Sequence, residues 1–214
     1  MDIVMLLFDG ITALDAIGPY EVLSRIPGAR MRFVAERPGV VTTDNGALRL
    51  VADEAIAEVG EAEVLVVPGG QGSRALMYHE PVLSWIRDVD QTTSWTTSVC
   101  TGSLLLGGAG LLVGRRATTH WLAIDLLATT GAIVVDDERV VVDGKIVSAA
   151  GVSSGIDMTL WLTGEIAGHE AAQAIQLSIE YDPQPPFDSG SVAKAPPAIV
   201  EALRALAAQR PTSA

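Results

Sequence analysis

Short apolar runs alternate along this chain with stretches of helical period. Ile3–Phe8 is a continuous apolar run and predicts a buried first strand. Asp15–Ile26 then predicts a helix, with Ala16, Ile17, Tyr20, Val22 and Leu23 available for packing. Met31–Ala35 predicts a second strand. Val40–Thr43 and Ala47–Val51 flank Asn45-Gly46, which is a hairpin signal. Val64–Val67 is apolar at every position, as in a strand covered on both faces, and Pro68-Gly69-Gly70 breaks it. Pro81–Val89 predicts a helix with proline in its first turn.

Further along, Ser94–Val99 predicts a strand and Ser103–Leu112 a helix, with Cys100 at the turn between them. Helical and strand signals follow at His120–Thr129, Ile133–Val135 and Val140–Val142. Asp143-Gly144 turns the chain into Ile146–Ala150. Ser153 or Ser154 is placed to cap a helix running to Ile166, and a further helix spans about Glu170–Tyr181. Pro183, Pro185 and Pro186 end it. Ser189–Pro197 predicts loop, and Ala198–Gln209 an amphipathic helix. No repeat or dividing linker interrupts the pattern. The expectation is one α/β domain over residues 1–214, with a loop and helical extension from about residue 183. Its doubly wound, mainly parallel sheet would be flanked by helices, with ligands at the carboxyl ends of the strands.

Composition narrows the function classes. Hydrophobic residues make up 49% of the chain and aromatics only 5%, so the core rests on Ala, Val, Leu and Ile. The net charge of -12 argues against a nucleic-acid partner bound through a basic face. The apolar start is too short for a membrane span and lacks a basic leader, so the expectation is a cytoplasmic protein without a membrane partner. One cysteine excludes an internal disulfide. His79, His120 and His169 lack metal-ligand spacing, and neither a metal nor a cofactor is expected.

Three loops follow predicted strands and would share one sheet edge: Asp9–Asp15, Pro68–Ser73 and Cys100–Ser103. A thiol at a strand-to-helix turn sits near a helix N-terminus, which favours thiolate. Gly102 would let the backbone turn tightly. Asp15 is the favoured carboxylate, although Asp is also a common N-cap; Glu21 is its competitor. Gly69, Gly70 and Gly72 carry backbone N–H groups suited to a developing anion, but such loops are also ordinary turns. They fit neither a phosphate loop nor a dinucleotide fingerprint. His120 is a candidate partner for the thiol, against a structural role beside a helix start.

Taken together, these stretches resemble the ThiJ/PfpI superfamily, which has the class I glutamine amidotransferase-like (flavodoxin-like) fold. They are Phe8-Asp9-Gly10, Leu14–Leu23, Val67-Pro68-Gly69-Gly70, Ser98-Val99-Cys100-Thr101-Gly102-Ser103, Gly114–Trp121 and Ser148–Asp157. The Cys-Thr-Gly elbow and the segment Tyr181–Gly190 resemble the isonitrile-hydratase branch. Thr101 stands where peptidase-like members carry a histidine. The resemblance selects Asp15 over Glu21. It implies catalytic roles for Cys100, Asp15 and Thr101, and substrate contacts at Gly69, Gly70, Gly151 and Val152. It also implies a homodimer, with an isonitrile and water as substrates. The expected reaction is hydration to an N-substituted formamide through a cysteine thioimidate. The alternatives are a glyoxalase-like enzyme acting on small dicarbonyls, or a non-catalytic cysteine-based redox or ligand sensor.

Overall fold

The computed structural model describes residues 1–209. The chain opens with β1 (Asp2–Leu6), α1 (Ala13–Leu23) and β2 (Arg30–Ala35). A hairpin of β3 (Gly39–Thr42) and β4 (Arg49–Ala52) leads to a short strand, β5 (Glu54–Ala55). Then come β6 (Val64–Val67), α2 (Ser73–Leu76), α3 (Glu80–Asp90), β7 (Trp95–Val99) and α4 (Gly102–Gly108). The two-residue strands β8 (Arg116–Ala117) and β9 (Ile133–Val134) flank α5 (Ile124–Ala128). The chain closes with β10 (Val140–Asp143), β11 (Ile146–Ala149), α6 (Ser154–Ala167), α7 (His169–Ser178) and α8 (Pro197–Ala208).

The central sheet has seven strands in the order β10-β11-β7-β6-β1-β2-β5. Every pairing is parallel except that of β10 with β11. The mainly parallel, helix-covered sheet predicted from the alternating pattern is therefore present. The reason for the continuous apolar runs is plain in the packing. All four residues of β6 are buried, as are Ile3 to Leu6 of β1, because helices cover both faces.

After β1 the chain first moves to one side of the sheet, through β2. It then returns to build β6 and β7 on the other side. The switch falls between β1 and β6, and the loops at their carboxyl ends are joined there: the Thr12 N–H donates to the Gly69 carbonyl at 2.9 Å and Ile11 bridges Gly70. The loop after β7 opens beside it. Asp9 ties this edge to the hairpin: its Oδ1 accepts the Thr42 N–H at 2.7 Å, and the Gly10 N–H donates to the Thr42 carbonyl at 2.8 Å.

Several boundaries differ from the sequence pattern. The helix expected over Ser103–Leu112 stops at Gly108. A Cβ on Gly108 would lie 2.3 Å from the Met77 carbonyl oxygen, and Gly110 has φ +80°. Gly108 lets the segment pack against Met77, and Gly110 turns the chain out of the helix. His120–Thr129 is a 3-10 turn over Trp121–Ala123 followed by α5, rather than one continuous helix. The short elements α2, β5, β8 and β9 have no periodicity long enough to announce them.

Candidate active site

Cys100 occupies a strained corner between β7 and α4. Its φ is +57°, a left-handed value that a residue with a Cβ adopts only under constraint. The constraints are visible. The Cys100 N–H donates to the Ala149 carbonyl at 3.0 Å. Its carbonyl accepts from the Thr119 hydroxyl at 3.0 Å and the Ser103 hydroxyl at 3.2 Å. The turn expected at Gly102 thus falls on Cys100 itself. Gly102 is needed for a different reason: a Cβ there would sit 2.0 Å from the Val67 carbonyl oxygen. Its absence lets α4 start directly against β6.

Asp15 lies in the first turn of α1, but it is not the cap. Thr12 holds the N-cap position, and the Asp15 side chain is fully buried. Its Oδ2 accepts the Gly69 N–H at 3.0 Å, while Oδ1 is buried without a hydrogen-bond partner. Burial pushes the Asp15 pKa up to about 7; the Gly69 amide and the Cys100 thiol oppose that rise, and the Asp44 charge adds to it. Glu21, the competing carboxylate, is half exposed and pairs with Arg25 at 2.7 Å. The structure therefore brings Asp15, not Glu21, to the thiol.

The glycine loop after β6 is committed to holding this pair. Thr101 Oγ1 accepts the Gly70 N–H at 2.9 Å and donates to the Gly70 carbonyl at 3.1 Å. The Gly72 N–H donates to the Gly10 carbonyl at 3.1 Å. With Gly69 bonded to Asp15, all three amides considered as anion donors are already satisfied inside the fold. The expectation that they would receive an oxyanion is corrected on this ground. A Cβ on Gly69 would lie 2.5 Å from the Thr101 nitrogen and 2.9 Å from Asp15 Oδ2. Gly69 is the point at which the β6, α1 and β7 loops touch.

The expected thiolate is also corrected. Burial, and then the neighbouring Asp15 carboxylate, push the Cys100 thiol well above its ordinary value. The Thr101 backbone N–H and hydroxyl act in the opposite sense but are outweighed. Cys100 is 5% exposed, so a helix of seven residues cannot supply charge stabilisation equal to the hydration that is lost. At neutral pH the pair rests as a thiol beside a carboxyl that is close to half protonated.

Cys100 and Thr101 form part of the wall of a cleft of about 300 Å³. Gly70 and Val152 line it too, whereas Gly69 lies behind, against Asp15. Gly151 also lies outside the lining, and a Cβ on it would come 3.5 Å from the His120 ring. His120 lines the cleft as a neutral imidazole, its pKa lowered by burial and by the Arg74 charge. Its Nδ1 accepts the Leu122 N–H at 3.2 Å, which places the ring proton on Nε2. A second groove of about 310 Å³, around Tyr20, Phe33 and Val51, is apolar and contains no cysteine or histidine.

Thr12, Asp44, Gln71, Arg74, Leu122 and Ala207 complete the cleft, and sequence reasoning did not select them. Asp44 arrives on the tip of the β3–β4 hairpin, where its Oδ2 accepts the Thr12 hydroxyl at 2.6 Å. Asn45-Gly46 signalled that turn, but not its position over a distant loop. Ala207 arrives on α8, and Arg204 of the same helix stacks 5.9 Å from the Trp121 ring. Among the described residues no group of three or more His, Cys, Asp or Glu side chains is arranged to hold a metal. No described helix is long and apolar enough to cross a membrane.

Comparison with known proteins places this geometry among relatives. The sequence profile of the DJ-1/PfpI family matches residues 1–164. The chain is 45% identical to an isonitrile hydratase from Pseudomonas putida, over 97% of this chain and 90% of the relative. It is 30% identical to an HTH-type transcriptional regulator from Pseudomonas aeruginosa, of which it spans half the length. Among solved structures, a ThiJ/PfpI family protein from Pseudomonas syringae superposes with a TM-score of 0.93. That protein is 38% identical, with 97% of this chain and 86% of the other covered.

Proposed function

The chain belongs to the DJ-1/PfpI family, and we propose that it hydrates isonitriles to N-substituted formamides, with Cys100 as nucleophile and Asp15 as its proton partner. The observation that carries this reading is the buried pair itself. Asp15 has one free oxygen, a pKa pushed up to about 7, and a thiol for a neighbour. Isonitrile hydration needs such a group, because a proton must be delivered to carbon and later taken from water. The likeness to the Pseudomonas putida isonitrile hydratase supports the choice of substrate.

The reactive form is the pair holding one proton. In its minor tautomer the proton sits on Asp15 and Cys100 is thiolate. The sulfur lone pair bonds the terminal carbon of R–N≡C, and the Asp15 proton goes to that carbon. The product is the thioimidate Cys100–S–CH=N–R beside an Asp15 carboxylate. This carboxylate then takes a proton from water as the hydroxide adds to carbon, and passes it to nitrogen. It next takes the hydroxyl proton as the C–S bond breaks. R–NH–CHO leaves, and the pair again holds one proton. The sum is R–NC plus water.

Thr101 supports this chemistry by fixing Gly70 and by favouring the thiolate tautomer through its N–H. In the peroxide-sensor alternative the thiol must be accessible and of low pKa. Cys100 reaches the cleft but its thiol is pushed upward, and the adjoining Asp15, which can take its proton as substrate arrives, favours the enzyme. Incubation with a panel of aliphatic isonitriles, with product identification, tests the proposal. Turnover of small dicarbonyls without any formamide would overturn it.

A further inference from the structure

Arg74 is a charged side chain in the cleft that the mechanism above does not use. It is half-buried on α2, and its Nη1 donates to Gln71 Oε1 at 3.2 Å. It forms no ion pair with any described residue. That is unusual in a chain with 26 acidic residues and 14 basic ones. Most other arginines of the described chain have carboxylate partners. The exceptions are Arg37 and Arg49, which are exposed, and Arg204, which stacks on Trp121.

A half-buried guanidinium loses hydration and normally recovers it from a carboxylate. Among the described residues no carboxylate provides that recovery. Asp44, the one carboxylate lining the same cleft, is hydrogen-bonded to Thr12 instead. Across the cleft, the Arg74 charge reaches far enough to help hold His120 neutral. Among the described residues Arg74 is therefore the cleft's positive charge, in the same cavity of about 300 Å³ as the nucleophile.

We propose that Arg74 is the recognition site for a carboxylate on the substrate, so that the substrate class is a small isonitrile acid. This rests on the isonitrile reading above. The planar guanidinium fork matches a carboxylate in two-pronged geometry. The small volume keeps the carboxylate within a few bonds of the N≡C group. Its anchoring would fix the isonitrile carbon at Cys100 by orientation.

The test compares isocyanoacetate with its neutral ethyl ester in the full chain. The native protein should show a kcat/KM at least tenfold higher for the acid, mostly through KM. In Arg74→Gln the acid-to-ester ratio should fall tenfold or more, and Arg74→Lys should give an intermediate ratio. Preference for the ester in the native protein, or an unchanged ratio in Arg74→Gln, overturns the proposal. If neither compound turns over, the isonitrile panel decides the isonitrile reading, and calorimetric binding decides the Arg74 proposal separately. N-formylglycine should bind more tightly than its ethyl ester, and Arg74→Gln should abolish the difference. Equal binding of the two overturns the carboxylate site.

Discussion

The Asp15 carboxyl is held by one hydrogen bond, from the Gly69 N–H to Oδ2 at 3.0 Å, and its second oxygen is buried without a partner. Gly69 fixes where the carboxyl sits without saturating it. The unpartnered oxygen is what leaves Asp15 able to take and give a proton, and it comes at a cost in stability.

That cost depends on pH. Below about pH 4 both the folded and the unfolded chain carry the Asp15 proton. Between about pH 4 and 7 the unfolded chain releases it first, so stability falls as pH rises, and the loss is complete above about 7. The shift from 3.8 to about 7 corresponds to roughly 4 kcal/mol. Asp15→Asn keeps an acceptor for Gly69 and never ionises. Its melting temperature relative to the native protein should therefore rise between pH 5 and pH 8, while its turnover falls by about 10²–10⁴-fold. A difference in melting temperature that is flat with pH would contradict the ionisation of Asp15 in this range.

Catalysis should follow the opposite slope. The pair must lose its first proton before the thiolate tautomer forms, so kcat/KM should rise with pH through about 7 and then level off. Because the thiol itself is pushed upward, no second rise near the ordinary cysteine value of about 8.5 is expected. A pH–rate profile measured with a neutral isonitrile checks both points. A rise centred near 8.5 would mean that Cys100 ionises independently of Asp15.

Thr101 tests the coupling of the two loops. Thr101→Val removes the hydroxyl that accepts the Gly70 N–H and leaves that amide buried without it, whereas the Gly70 carbonyl keeps the Ser73 hydroxyl at 2.6 Å. Urea unfolding should show a loss of about 1–3 kcal/mol. Thr101→Ser should recover most of it, since only the hydroxyl is required. A loss in Thr101→Ser as large as that in Thr101→Val would show that the hydroxyl is not what holds the Gly70 loop.

Gly69 is held to its size by contact. A Cβ there would stand 2.5 Å from the Thr101 nitrogen and 2.7 Å from its hydroxyl. Gly69→Ala should lower stability by about 1–3 kcal/mol and lower turnover as well, because Asp15 is displaced along with Thr101. Thermal melts and steady-state rates check this. A variant with native turnover would show that the loop shifts without moving the carboxyl.

Much of this arrangement was legible in the residues. The strands announce themselves because burial on both faces demands unbroken apolar runs such as Val64–Val67. Parallel strands then bring their carboxyl-end loops together, which places Asp15, Gly69 and Cys100 at one edge before any coordinates exist. The electrostatics were not legible. Helix position suggested a thiolate, but the depth of Cys100 and the proximity of Asp15 set the opposite direction. The glycine amides looked available because their acceptors, Asp15, Thr101 and Gly10, come from three other segments. Asp44, Arg74 and Ala207 reach the cleft from a hairpin tip, a four-residue helix and the last described helix. No local pattern marks such long-range arrivals.

The central claim is that Cys100 forms a thioimidate that Asp15 helps to resolve. Rapid-quench intact-mass measurement on the native protein, mixed with an aliphatic isonitrile, tests it most directly. The expected result is a transient species heavier by the mass of the isonitrile. Peptide mapping should place it on Cys100, and it should decay as the formamide appears. It should be absent from Cys100→Ala, which should form no formamide. Formamide production at the native rate in Cys100→Ala would contradict the mechanism.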